Sequence, residues 1–220
     1  MKKFILQTVA ICIVVSMAVY AKAPDVFTVS IGDYKKTYPV VAPQGNKAVK
    51  IVYIPDFNDN YQLAYEAAQN LVYKLKESGL LKNIQALVVP GDKANMLATV
   101  LFRKLREAKQ FDPENQIELC ILRSSEKGKI AFSQKYNSIT GGNKELRMRP
   151  DQADRLKGKM VLIFDDVMST GGTFEATKAL VEKVGCKVAA YACVATEGEE
   201  RNRFSGKPLL YLVHLPVFKG

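Results

Sequence analysis

The stretch Val161-Leu162-Ile163-Phe164-Asp165-Asp166-Val167-Met168-Ser169-Thr170-Gly171-Gly172-Thr173 constrains the fold of this chain more than any other. Its four leading apolar residues show no alternation, which is how a strand covered on both faces reads. Two carboxylates stand where such a strand ends, and a Ser-Thr-Gly-Gly-Thr turn leads into a helix running to about Val184. In open α/β sheets ligands bind beyond the carboxyl ends of the strands, so Asp165 and Asp166 fall at the expected crevice. The glycines permit backbone geometries and close approaches that a Cβ obstructs, and successive amides at a helix N-terminus form a concave anion site. Carboxylates beside a phosphate cradle would repel the phosphate itself. They suit hydrogen bonds from hydroxyls, or a hard divalent cation, and a sugar phosphate satisfies both halves of the motif. A Walker phosphate loop requires a Gly-Lys-Ser/Thr ending, which this turn lacks.

The alternation of strand and helix extends along the chain. Residues 26–31 and 38–41 read as short strands around a Gly32-Asp33 turn, and residues 50–54 as a third. Asn60 caps a predicted helix whose apolar face carries Tyr61, Ala64, Tyr65, Ala68, Leu71, Val72 and Leu75, with Gly79 closing it; the tyrosines are expected in the core. A strand at 84–89, a turn at 90–93, a helix at about 95–108 and a strand at 117–122 follow. A polar loop and a hairpin lead to a strand at 160–164, a helix at 174–184 and a strand at 188–195. Such βαβ units with short connections imply an α/β fold: an open, mainly parallel sheet with helices on both faces. With 220 residues and 48% apolar content, the chain suits one domain, residues 26–220, behind a short extension, residues 1–21.

In that extension, Lys2 and Lys3 precede an apolar stretch over residues 4–21, followed by Lys22-Ala23-Pro24-Asp25. These are the parts of a secretory signal peptide, with Val19 and Ala21 in the cleavage-site positions. The stretch also approaches the roughly twenty residues that span a bilayer, so attachment to a membrane through residues 4–21 is the other expectation. In both cases the charge bias places the domain outside, an extracytoplasmic location. A true start near Met17 would make the protein cytoplasmic instead.

Lys and Arg exceed Asp and Glu by 32 to 22. That bias suits polyanionic ligands, nucleic acid or a membrane surface alike. The single histidine, His214, lies in an apolar stretch and reads as a packed side chain, which leaves histidine metal sites and a Ser-His-Asp arrangement without their parts. Cys12, Cys120, Cys186 and Cys193 have no metal-site spacing and read as buried free thiols.

The run from Val161 to Thr173 resembles the 5-phosphoribosyl-1-pyrophosphate (PRPP) signature of the type I phosphoribosyltransferase family, and the chain is most similar to its adenine phosphoribosyltransferase-like members. The resemblance implies the type I fold with a small N-terminal β region acting as a hood over the base. It implies that Asp165 and Asp166 contact the ribose 2′- and 3′-hydroxyls, while Ser169, Thr170, Gly171, Gly172 and Thr173 wrap the 5′-phosphate. Arg123-Ser124-Ser125-Glu126-Lys127-Gly128-Lys129-Ile130, followed by Tyr136-Asn137-Ser138-Ile139, resembles the family's basic flexible loop that closes over PRPP. Arg123, Lys127 and Lys129 are thereby implied on the pyrophosphate side. Residues 89–97 stand at the family's pyrophosphate loop, where adenine enzymes show Glu-x-Arg-Gly or Glu-x-Lys-Gly; Lys93 matches the cation, Gly91 replaces the acid and Ala94 the final glycine. The C-terminal Ala195-Thr196-Glu197-Gly198 and residues 209–218 resemble a variant group of bacterial adenine phosphoribosyltransferase-like proteins.

The resemblance implies an enzyme that transfers the phosphoribosyl group from PRPP to a purine base, adenine first, releasing pyrophosphate in purine salvage. It implies Mg²⁺ bound through PRPP without a named protein ligand, and a homodimer; no catalytic base is named. A non-catalytic PRPP-sensing or nucleic-acid-binding regulator on the same fold is the alternative, and an export signal weighs against nucleic acid.

Overall fold

The computed structural model describes residues 23–43, 48–57, 59–91, 94–110, 116–138 and 142–220. The extension, Cys12 and Lys93 lie outside them, as do Met17 and the cleavage-site residues. Among the described residues no helix is long and apolar enough to cross a membrane.

An antiparallel pair opens the fold, β1 (Val26–Ile31) and β2 (Tyr34–Val41), with β3 (Val49–Val52) beside β2. Next, α1 (Tyr61–Glu77) starts where the Asn60 side chain accepts from the Leu63 amide at 3.0 Å. Its buried face is Leu63, Ala64, Ala67, Ala68, Leu71 and Leu75. Tyr61 is 62% exposed and Tyr65 only half-buried, which corrects their expected place in the core. The small side chains of Ala64, Ala67 and Ala68 allow closest approach, so the packed seam turns toward them and pushes the tyrosines to its margin.

Then follow β4 (Ala86–Pro90), α2 (Asn95–Ala108) and β5 (Glu118–Leu122). A hairpin of β6 (Phe132–Ser138) and β7 (Gly142–Met148), α3 (Pro150–Leu156), β8 (Met160–Met168), α4 (Gly172–Lys183) and β9 (Lys187–Glu197) complete the centre. The chain ends in four short strands, β10 (Arg203–Phe204), β11 (Lys207–Leu210), β12 (Val213–Leu215) and β13 (Phe218–Lys219). The main sheet runs β10-β11-β9-β8-β4-β5, and all its pairings are parallel except β10 with β11; β12 extends the β11 edge along β9. β13 joins the N-terminal sheet against β3, so the chain's end ties that sheet to the main one.

The central strands face two cores, which is why they read as unbroken apolar runs. Leu87, Val89, Leu162, Phe164, Ala190 and Ala192 pack with α1, α2 and the N-terminal sheet. Val88, Val161, Ile163, Tyr191 and Cys193 pack with α3 and α4. The chain leaves β4 through α2 to one neighbour, β5, then returns through the hairpin and α3 to the other, β8. Strand order therefore reverses between β4 and β8, and the crevice beyond their carboxyl ends is where an open α/β sheet binds ligand.

The expected strand at 160–164 is longer than its apolar run. It continues through both carboxylates because β9 is long enough to pair with them, Asp165 opposite Cys193, Val167 opposite Ala195 and Met168 opposite Thr196. Cys120, Cys186 and Cys193 are buried free thiols, as expected.

Candidate active site

Asp165 and Asp166 lie in the carboxyl-terminal half of the nine-residue β8, half-buried beside the reversal of strand order. Each carboxylate is held by the next peptide: the Asp166 amide donates to Asp165 Oδ1 at 2.9 Å and the Val167 amide to Asp166 Oδ1 at 2.8 Å. One oxygen of each acid is thus committed to the backbone, which orients the side chain.

After β8, Ser169 and Thr170 bend the chain and Gly171 caps α4 with φ +88°. A Cβ at Gly171 would lie 2.3 Å from Phe204 Cε2, and one at Gly172 3.0 Å from the Asn137 carbonyl oxygen. Glycine at 171 is therefore required twice, by conformation and by space. The first-turn amides of α4 have no acceptor within the helix and carry its positive dipole end, so this terminus can take an anion. Phe204, Phe174 and Tyr191 brace the loop from behind, with ring centroids 5.0–5.9 Å apart.

The β6–β7 hairpin lies lengthwise on α4. Lys183 donates to the Ser133 carbonyl at 3.1 Å at one end, and Asn137 abuts Gly172 at the other. Tyr136 stands between: burial pushes its phenol up, the Thr173 hydroxyl beside it pulls it down, and the Asp165 charge raises it. The hairpin thus brings Tyr136 to both Thr173 of the glycine turn and Asp165 of the acid pair.

Glu197 closes β9 directly after Thr196, which pairs with Met168, the residue before Ser169; burial raises its carboxyl and the Ser169 hydroxyl partly offsets the rise. Beside it, the Thr196 hydroxyl and His214 Nδ1 are 3.1 Å apart, so the lone histidine is half-buried and partnered. Neither Tyr136 nor Glu197 belongs to a motif that assigned it a role. The one signal for Glu197 is a lone acid closing an apolar strand at the ligand end of the sheet.

The cations are placed differently. The Arg123 carbonyl accepts from the Arg147 amide at 3.2 Å, and Arg123 lines a cleft of about 230 Å³ along the outer edge of β5, with Arg149, Gln152 and Arg155. Lys127 and Lys129 are exposed in the connector between β5 and β6. At the pyrophosphate loop, the positive φ falls at Gly91, at +78°, whereas Ala94 is fully buried with φ −94°. The replacement of the family's final glycine by Ala94 therefore brings no backbone strain.

A mainly parallel sheet whose strand order reverses beside paired acids, next to a glycine-positioned helix terminus, defines an open α/β protein with its ligand crevice beyond β4 and β8. More specifically, the chain belongs to the phosphoribosyl transferase domain family, whose model matches residues 59–209. It is 47% identical over 66 residues to the adenine phosphoribosyltransferase of Thermosipho africanus (strain TCF52B), which is 29% of this chain and 37% of that protein. It is 28% identical over 152 residues to the adenine phosphoribosyltransferase of Thermotoga sp. (strain RQ2), 67% of this chain and 81% of that one. Against the first curated relatives it matches, the chain spans 37% of their length. The fold is shared with the crystal structure of adenine phosphoribosyltransferase from Thermoanaerobacter pseudethanolicus, at TM-score 0.63 and 18% identity over 80% of this chain and 95% of that one.

Proposed function

We propose that the chain is a phosphoribosyltransferase that moves the 5-phosphoribosyl group of PRPP onto a purine base, adenine first, with release of pyrophosphate, in purine salvage. The observation that carries this reading is the continuity from Asp165 and Asp166 on β8 through Gly171 to the N-terminus of α4. It sets ribose-hydroxyl acceptors and a phosphate cradle one short loop apart.

In this mechanism the carboxylates of Asp165 and Asp166 accept the ribose 2′- and 3′-hydroxyls, and their charge favours the positive character that develops on the ribose ring. Ser169, Thr170 and Thr173, with the backbone at Gly171 and Gly172, hold the 5′-phosphate. Lys93, Arg123, Lys127 and Lys129 neutralise the departing pyrophosphate. Fixing both ends of the ribose phosphate places its reacting carbon against the base, which is worth more here than any covalent participation.

The resemblance includes Mg²⁺. Among the described residues no group of three or more His, Cys, Asp or Glu is placed to hold a metal alone. The hard-oxygen environment fits an ion that arrives with PRPP and draws its ligands from pyrophosphate and water. When bound, it supplies charge neutralisation of the leaving group. A homodimer, and export or membrane attachment by residues 4–21, complete the proposal.

The test is to incubate the purified protein with PRPP, Mg²⁺ and adenine, hypoxanthine or guanine, and to measure nucleotide and pyrophosphate together. Stoichiometric release with adenine as the fastest base is expected. PRPP binding without nucleotide from any base would reject the enzyme and leave the PRPP-sensing reading.

A further inference from the structure

The N-terminal sheet has two faces, set by the alternation of side chains along its strands. One carries Val29, Ile31, Tyr34, Tyr38, Val40 and Val52, all buried in the core that includes the apolar face of α1. The other faces away from α1, yet it is apolar too. Val26 pairs with Pro39, whose carbonyl accepts from the Tyr53 amide at 3.0 Å, and Val41 pairs with Ile51. Phe218 pairs with Lys50, so Val217 just before it falls beside Ile51. On this outer face Val26 is 56% exposed, Tyr53 54%, Val217 39% and Val41 37%. Tyr61 and Tyr73 on α1 are the other exposed large apolar side chains among the described residues. Single exposed apolar residues are ordinary, but a group of them on one side of one small sheet marks a contact surface.

Charge and chain length both say what it contacts. The charged residues that the strands place on the outer face are Lys35, opposite Ser30, and Lys219, opposite Val49; among the described strand positions no carboxylate falls there. A second copy on this face would set lysine against lysine with no acid to pair them. A lipid surface suits the combination: the apolar side chains enter the headgroup boundary, tyrosine favours that boundary, and lysines meet anionic headgroups. The apolar stretch over residues 4–21 ends five steps before Val26, a span of at most about 18 Å even when extended. Val26 is itself a member of the patch, so a membrane holding residues 4–21 has this face within reach.

We propose that the outer face of the N-terminal sheet seats the domain on a bilayer surface bearing anionic phospholipids. Val26, Val41, Tyr53 and Val217 enter the headgroup boundary, and Lys35 and Lys219 meet the headgroups. This inference rests on the reading of residues 4–21 as the segment that brings the chain to a membrane. It adds that the folded domain lies against that membrane instead of hanging from a tether. The contact belongs to residues 26–219, so cleavage after Ala21 leaves it in place.

The chain contains no tryptophan, so Tyr53→Trp in the full chain gives a single fluorescent reporter on this face. Val26→Trp gives a second there, and Tyr73→Trp, at a position 62% exposed on α1, gives the control. Each is bound to vesicles of phosphatidylcholine and phosphatidylglycerol, with and without brominated acyl chains, and isolated by flotation. The reporters at positions 53 and 26 should shift to shorter wavelength and lose intensity to the brominated lipid, while the one at 73 does neither. Adding Lys35→Gln and Lys219→Gln to Tyr53→Trp should lower the ratio of seated to unseated domain about tenfold. A chain that floats with the vesicles while the reporters at 53 and 26 stay unquenched would overturn the seating and leave membrane attachment standing. A chain that does not float would remove both. Equal quenching at 53, 26 and 73 would overturn the choice of face. A blue shift at 53 that grows with protein concentration in the absence of vesicles would assign the face to a second copy and overturn the proposal.

Discussion

Gly171 is held in the left-handed region against the ring of Phe204, and this makes it the most sensitive residue of the loop. Gly171→Ala should destabilise the protein by about 2–5 kcal/mol in denaturant titration, from positive-φ strain plus overpacking. Adding Phe204→Leu should recover only the steric part. Tyr191 makes the opposite prediction. Its hydroxyl is buried without a hydrogen bond, with Ser205 the polar group beside it, and burial pushes the phenol up. Tyr191→Phe should leave stability unchanged or raise it by up to about 1 kcal/mol, since no hydrogen bond is lost and one desolvated polar atom is removed. Both measurements address the aromatic brace behind the Ser169–Thr173 turn rather than the groups proposed to meet a ligand.

At the scale of elements, β2 is pinned to the start of α1 by one carboxylate. Asp56, only 8% exposed, accepts through Oδ2 from Tyr34 at 2.6 Å, Lys36 at 2.8 Å, Tyr38 at 3.0 Å and Asn60 at 3.2 Å. Burial pushes its carboxyl up, but the hydrogen bonds from Lys36, Tyr34 and Tyr38 outweigh burial and hold it below the ordinary range. A depressed carboxylate contributes stability that is present above its unfolded ionisation and is lost as pH falls through the folded one. Asp56→Asn should therefore cost about 1–3 kcal/mol at neutral pH and flatten the loss of stability below about pH 4, read by unfolding curves over an acid series. The same scale shows what local pattern conveys. The boundaries of α2 were legible from its 3.6-residue period, and the Asn60 cap from its position before an amphipathic run. The end of β8 was not, because two adjacent acids look like a strand terminus unless the length of β9 is known. The seven-residue α3 buries only Gln152, Ala153 and Leu156, too little for a period to emerge. Phe204 over Gly171 and Glu197 beside Ser169 are long-range contacts, and nothing in either local sequence announces its partner.

For the whole molecule, the order of strand, acid pair, glycine turn and helix over residues 161–173 was legible because each part demands particular residues at fixed spacing, whereas the places of Arg123, Lys127 and Lys129 follow no such spacing. The N-terminal segment makes its own prediction: sequencing the mature protein should give Lys22 as the first residue, and a chain beginning at Met1 or near Met17 would contradict cleavage after Ala21. The central claim is that residues 161–173 bind PRPP through Asp165 and Asp166. Its most direct test is calorimetric titration of PRPP with Mg²⁺ into the wild type and the Asp165→Asn/Asp166→Asn double variant. Each acid contributes a charge-assisted hydrogen bond, so the double variant should keep its fold and lose about 100-fold or more in affinity. A folded double variant that binds PRPP as tightly as the wild type would contradict the account.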